Sequence, residues 1–291
     1  MRRIKGDGVE LAVYERGGGP ARPVVLLVHG YPDDHRIWDR VAEHLSGRFH
    51  VVTYDVRGAG ASDRPRGREP YAFAHLLADL RAVIDAVSPG RPVHLAGHDW
   101  GSIQGWEAVC TMPERFVSFT SIGGPCLDHA GHWFREAGRA QTVRQLLASW
   151  YIGFFRLPLL PELFWRSGLG GRLLALAAGH RPSSRHDAVA GLGLYRANIR
   201  PRTRHPLERR TTVPVQVVVP IRDAYVTPDL AEAARRRIPG AGIRRFDAPH
   251  WMPETHPGPL ARLIAEHAEH AEHAERAERA GRAAAGERST G

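Results

Sequence analysis

The chain has 291 residues, 43% hydrophobic and 24% charged, and its formal net charge of +9 is carried almost wholly by arginine, Lys5 being the one lysine. That length accommodates one large α/β domain with an insertion, or two small domains, around a sizeable core. The arginines are scattered (Arg2, Arg64, Arg91, Arg135, Arg172, Arg196) with no long basic run or interleaved aromatic platform, which argues against a nucleic-acid partner. Cys110 and Cys126 fit neither a disulfide framework nor zinc spacing. The N-terminal Met1–Gly6 has two arginines but no apolar stretch behind them, and no run reaches the roughly eighteen apolar residues of a membrane span. A cytoplasmic protein is expected.

In chain order, Val9–Glu15 alternates apolar and polar residues up to the Gly17-Gly18-Gly19-Pro20 turn, which predicts an early edge strand. Val24–Val28 and Val51–Tyr54 are near-continuous β-branched runs, as in strands buried on both faces. Asp39–Leu45 lies between them as a short helix, and Phe73–Val87 follows as a longer amphipathic one. Val93–Ala96 reads as a strand, Ser102–Cys110 as its helix and Phe116–Ile122 as the next strand. The pattern resumes with strand Val213–Val219, helix Pro228–Arg237 and strand Gly242–Asp247. Alternating strands and helices predict a mainly parallel sheet covered on both faces.

Residues 126–208 break that rhythm. They are rich in aromatics (Trp133, Phe134, Trp150, Phe155, Trp165) and cut by Pro158, Pro161, Pro182 and Pro201. A helical insertion at the C-terminal ends of the strands is expected here, either a lid over a site or the ordinary core of a larger domain. It separates a first core part, 1–125, from a second, 209–265. From Glu266 the chain repeats Glu-His-Ala three times and Glu-Arg-Ala twice, a helix-favouring tail over 266–291 without a sustained apolar stripe. A solvated or frayed extension is expected, in which His267, His270 and His273 bind metal only adventitiously.

The most informative segment is Gly97-His98-Asp99-Trp100-Gly101, directly after the strand Val93–Ala96. A glycine-flanked polar residue between strand and helix is a nucleophile elbow, though a turn with a helix-capping Asp has the same letters. Where serine usually stands, Asp99 offers a carboxylate, which displaces a leaving group from an alkyl carbon and is left as an alkyl ester. Hydrolysing that ester needs a general base late in the chain, and His250 follows the last strand in Ala248-Pro249-His250-Trp251. The base needs an orienting acid, and Asp223 follows the strand Val215–Val219, with Asp128 as rival. The anionic intermediate needs backbone donors. His29-Gly30-Tyr31-Pro32 suits the first, the N–H of Tyr31, and the N–H of Trp100 supplies the second. His29 is expected to hold its loop by hydrogen bonds. Asp55–Asp63 lacks nucleotide-binding spacing and reads as a structural turn with an Asp–Arg pair.

In this order the motifs resemble the α/β-hydrolase superfamily over residues 5–265, and within it the epoxide hydrolases. The resemblance implies an α/β-hydrolase fold, a mainly parallel sheet with helices on both faces and a helical lid inserted after the sixth strand. It further implies two lid tyrosines that donate to the epoxide oxygen, matched by Tyr151 and Tyr195. Pocket walls are expected from His29, Pro32, Trp150, Phe154 and Trp251. No cofactor or metal is implied. The partners expected are a small hydrophobic epoxide and water, with a homodimer as a candidate assembly. The alternatives are a haloalkane or haloacid dehalogenase using the same Asp nucleophile, and a non-catalytic binder of hydrophobic ligands. No Gly-x-Ser-x-Gly occurs, which disfavours an esterase.

Overall fold

In the computed structural model, the backbone is described for residues 1–19 and 22–289, and side chains of the last helix up to residue 277. The aliphatic run Val24–Val28 (β3) is wholly buried and lies parallel between His50–Tyr54 (β4) and Val93–His98 (β5). Buried on both faces, it is the kind of strand that only a two-sided α/β sheet accommodates. Phe116–Ile122 (β6), Val215–Pro220 (β7) and Gly242–Phe246 (β8) extend the sheet in parallel. Glu10–Arg16 (β2) and Arg2–Lys5 (β1) close the other edge antiparallel, giving the order β1-β2-β4-β3-β5-β6-β7-β8. Strand β1 was not expected from the sequence, because Ile4 alone is buried in a charged edge segment.

Alternation along β3 sends Leu26 and Val28 to one face and Val25 and Leu27 to the other. The first face packs against Phe73–Val87 (α2) and Trp100–Thr111 (α3), the second against Asp39–Leu45 (α1). Between β6 and β7 run seven helices, Leu127–Glu136 (α4), Arg139–Ala148 (α5), Trp150–Phe155 (α6), Leu160–Arg166 (α7), Leu169–Ala178 (α8), Arg185–Ala190 (α9) and Leu192–Arg204 (α10). Phe155, Trp165 and Tyr195 join the cluster that covers the sheet, while Trp133 of α4 sits in a small separate cluster with Ala130, Leu230 and Ala233. Buried polar ties fasten them further. Asp187 accepts from the Gly60 N–H (3.1 Å) and from Arg64 (2.6 Å), and Asn198 joins the Phe73 N–H (3.0 Å) to the Tyr71 carbonyl (2.9 Å). His180 donates to Asp33 (2.6 Å) and Glu254 (2.9 Å); although burial pulls against its charge, the two carboxylates lift its pKa to about 9.

The expected helix Pro228–Arg237 is two short turns, Pro228–Ala231 (α11) and Ala234–Arg237 (α12). Met252–Thr255 (α13) precedes a helix that runs from Pro257 to Ser289 (α14). The repeat is therefore helix, and its first part is not solvated. Ala261, Ile264, Ala265, Ala268 and Ala271 are buried, a stripe at three- and four-residue spacing. Alanine registers weakly as hydrophobic, yet its small side chain lets α14 lie close against the sheet. Glu272 meets buried His94 (3.3 Å), Glu269 pairs with Arg48, and His267 donates to the Pro214 carbonyl (3.2 Å). The turn after β4 also differs from expectation. Asp55 accepts from His35 and the Ala61 N–H, while Arg57 pairs with buried Asp79 of α2 (2.7 and 2.8 Å). Among the described residues no helix is long and apolar enough to cross a membrane.

Candidate active site

The loops that leave the C-terminal ends of β3, β5, β7 and β8 meet at one edge of the sheet, where open α/β sheets form their binding crevices. Asp99 follows β5 with φ +51° and ψ −118°, a conformation costing a non-glycine residue about 1–3 kcal/mol. Close backbone approach holds it there. A Cβ on Gly97 would lie 2.4 Å from the Gly101 carbonyl oxygen, and one on Gly101 would lie 2.0 Å from that of Val28. Only glycine at both positions lets α3 start against β3 and β5.

Asp99 is 8% exposed, and its Oδ1 accepts from the Tyr31 N–H at 2.7 Å, with the Trp100 N–H also facing the carboxylate. Burial raises its pKa to about 6, against the opposing pull of His250 and the two N–H groups. The other oxygen, Oδ2, faces His250 Nε2 at 3.8 Å, beyond hydrogen-bond distance. His250 Nδ1 donates to Asp223 Oδ2 at 2.7 Å, which fixes its tautomer. Asp223 is itself held by the N–H groups of Tyr225 (2.7 Å) and Val226 (3.0 Å). Burial, the largest single influence, pulls the His250 pKa down, but Asp223 and then Asp99 override it and raise it above the usual value. The pieces are those of nucleophilic catalysis: a buried carboxylate, an oriented imidazole and paired amide donors.

A cavity of about 420 Å³ opens over Asp99, with Trp100, Tyr151, Tyr195 and Tyr225 in its walls. The Tyr195 ring meets Trp100 edge-on at 5.0 Å and Tyr31 at 5.2 Å, with Tyr151 at 6.0 Å. Burial, then the nearby charges and phenols, pushes the pKa of Tyr151 and of Tyr195 well above the ordinary phenol value. Both stay protonated and able to donate.

The expected pocket wall is corrected. Trp150 is 69% exposed, and Phe154 packs against Phe164 (5.4 Å). On a helix, Tyr151 and Phe155 share the inner face, so the residues one position earlier, 150 and 154, share a face turned away. Trp251 lies behind His250, donating to Asp33 (3.1 Å) and stacked on His180 (4.1 Å). His29 donates from Nδ1 to the Gly30 carbonyl (2.8 Å) and accepts the Val56 N–H at Nε2 (2.9 Å). With Pro32 it lines a separate small cleft. In their place Ile103, Leu127, Phe134, Ile199, Val226 and Leu230 wall the cavity. Asp128, the rival acid, is bound to Arg202 (3.4 Å), Arg209 (3.2 Å) and the Leu207 N–H (2.8 Å).

Three contributors escaped sequence reasoning. Tyr225 stands between Tyr151 (5.5 Å) and His250 (4.9 Å). Gln145, fully buried on α5, accepts from the Thr227 N–H (2.9 Å) and hydroxyl (2.7 Å) and donates to the Tyr225 carbonyl (2.8 Å), clipping the insertion to the Asp223 loop. His98 donates to the His250 carbonyl (3.0 Å), and burial holds its pKa well down, so it stays neutral. Only His98 had a signal, its place inside the elbow. Asp34, His35 and Asp55 come close enough together to ligate a metal, but Asp34 is already taken by Arg36 (2.7 Å) and Asp55 by His35 (2.6 Å).

A family model described as alpha/beta hydrolase fold matches residues 23–257. The chain is 34% identical to a protein of Mycobacterium tuberculosis named "Probable oxidoreductase EphD", over 90% of this chain and 48% of that relative. It thus spans about half the length of that relative. It is 30% identical to "Epoxide hydrolase A" of the same organism, over 65% of this chain and 57% of the relative. A solved structure from work on epoxide hydrolases of the alpha/beta hydrolases superfamily in metagenomes from hot environments superposes with a TM-score of 0.76. It is 25% identical, covering 91% of this chain and 97% of that one.

Proposed function

Because the chain belongs to the alpha/beta hydrolase fold family, we propose that it hydrolyses a hydrophobic epoxide to a vicinal diol through an alkyl ester on Asp99. The observation that carries this is the orientation of one carboxylate: Asp99 Oδ1 rests on the Tyr31 N–H while Oδ2 faces His250, in a cavity walled by two protonated phenols. The name of one relative, "Epoxide hydrolase A", supports it, whereas that of another, "Probable oxidoreductase EphD", does not.

Asp99 Oδ2 attacks a ring carbon. The carbon–oxygen bond breaks, its electron pair goes to the epoxide oxygen, and Tyr151 or Tyr195 supplies the proton. The product is a hydroxyalkyl ester on Asp99. His250, held by Asp223, then takes a proton from water as that water attacks the ester carbonyl. The developing oxyanion is Oδ1, already seated on the donors of Tyr31 and Trp100, so no reorganisation is needed when charge appears. Collapse breaks the bond to the diol oxygen, which takes the proton held by His250. The second proton of the water returns to the tyrosinate, and the restored carboxylate now holds the oxygen that came from water. The helices α4–α10 serve as the lid that carries both phenols and keeps solvent from the ester. We place this activity in the cytoplasm, which the free thiols of Cys110 and Cys126 suit, and a homodimer is one assembly to be tested by sizing.

One observation favours a second reading, dehalogenation. The indole N–H of Trp100 is buried with no hydrogen-bond partner among the described residues, and such a donor suits a departing halide. A panel of hydrophobic epoxides and bromoalkanes separates the two. Diol without bromide release supports the epoxide reading; bromide release without diol overturns it.

A further inference from the structure

Helix α10 turns Tyr195 toward Asp99 and gives another face to solvent. On that face Arg196, Arg200 and Arg204 follow at four-residue spacing, where like charges repel. Arg156, just past α6, and Arg68 join them around an open cleft of about 460 Å³ whose lining holds no carboxylate. Of these five arginines, only Arg196 has an acidic partner among the described residues, Glu162 (2.5 and 3.2 Å).

The rim of the cleft is apolar. Arg196 also donates to the carbonyls of Phe155 (2.9 Å) and Leu157 (2.7 Å), and from there the chain exposes Leu157, Leu159, Leu160 and Leu163. Leu159 is 72% exposed with φ +62°, so a strained backbone holds a large apolar side chain out in water. The apolar surface continues through exposed Trp150, which lies beside Phe154 (6.4 Å), itself beside Phe164 (5.4 Å). Exposed Leu146 carries it to the wall of the cavity over Asp99. Single exposed leucines are ordinary, but a continuous band is not.

We propose that this face docks on an anionic lipid bilayer, the leucines and Trp150 entering the interfacial layer while the cleft arginines bind lipid phosphates. Short helices that pair arginines with leucine and tryptophan have the chemistry of an interfacial surface. A free phosphate would engage the arginines and leave the leucines in water. A second copy of the chain would cover the leucines and bring unpaired arginines together. A bilayer satisfies both sets at once, and it sets the cavity wall at Leu146 against lipid, where an apolar substrate enters without crossing water. Docking stands whether or not the epoxide reading holds.

The test is cosedimentation of the full chain with vesicles of phosphatidylcholine alone or mixed equally with phosphatidylglycerol, at low and high salt. Binding to the anionic vesicles is expected to exceed binding to neutral ones by about tenfold or more and to fall steeply with salt. Arg200→Glu with Arg204→Glu, and separately Leu159→Asp, should each cut it by about tenfold or more, with unchanged circular dichroism and unchanged turnover. Equal or no binding to the two vesicle types overturns the proposal, as do leucine variants that bind like the parent. Saturable binding of inorganic pyrophosphate without vesicle binding would make the cleft a site for a soluble anion. A dimer that Leu159→Asp converts to monomer without lipid would make the face a self-association surface.

Discussion

Asp99, Asp223 and His250 stand just beyond strands β5, β7 and β8, whereas Tyr151 and Tyr195 stand on helices α6 and α10 of the insertion. Each strand-borne group is aimed by directional bonds: two amide donors for Asp99, two for Asp223, and Asp223 itself for His250. The tyrosines are placed mainly by ring-edge packing against Trp100, Tyr31 and Phe155. Bond making at carbon tolerates little misplacement, and the sheet supplies that precision. Proton donation to an oxygen tolerates more, and in the proposed mechanism two donors on the helices of the insertion share it.

If that division is right, losses should be steep on the sheet side and graded on the helix side. Asp99→Ala is expected to lower kcat by about four orders of magnitude or more in diol-formation assays, since nothing else in the cavity can take the role of nucleophile. His250→Gln should leave alkylation intact and slow ester hydrolysis by about a thousandfold. Intact-mass spectrometry would then show protein heavier by one substrate. If no adduct accumulates while activity is lost, His250 acts earlier than assigned. Replacing both Tyr151 and Tyr195 by Phe should cost about a thousandfold, and either alone only about tenfold, because the remaining phenol still donates. Equal loss from one and from both would mean that a single tyrosine carries the step.

The smallest effects are those of pH. Asp99 must be charged to attack, and its pKa is raised to about 6, so kcat/KM should be full above that value and fall about tenfold per unit below it. His250 must be neutral to activate water, and its pKa lies above the usual value, so kcat should climb with pH at higher values than kcat/KM does. Profiles of both parameters that rise together at the ordinary carboxylate value would contradict the buried setting of Asp99.

The same division explains what could be read in the sequence. A strand that ends in a turn announces itself, through glycines beside Tyr31 and Asp99 and through the end of an apolar run before Asp223 and His250, so all four are legible as a set of strand ends. Helix faces do not announce themselves. Tyr151 could be named by its local context, but which neighbours share its inward face depends on helix phase, and the expectation for Trp150 and Phe154 failed there. Gln145 and Tyr225 matter through contacts between α5 and the Asp223 loop, some eighty positions apart in the chain, which no local pattern encodes. The buried alanines of α14 escaped for another reason: a stripe of small residues carries too little hydrophobicity to stand out, although it packs as closely as any.

The covalent ester is tested most directly by incubating excess enzyme with an aryl or alkyl epoxide in heavy-oxygen water and locating the label by peptide mass spectrometry. Label built into the carboxylate of Asp99 in that single turnover, with the diol unlabelled, is the predicted result, because the water that releases the diol leaves its oxygen there. Diol that takes up the label from the first turnover, with Asp99 unlabelled, would mean that water attacks the epoxide directly and that no ester forms.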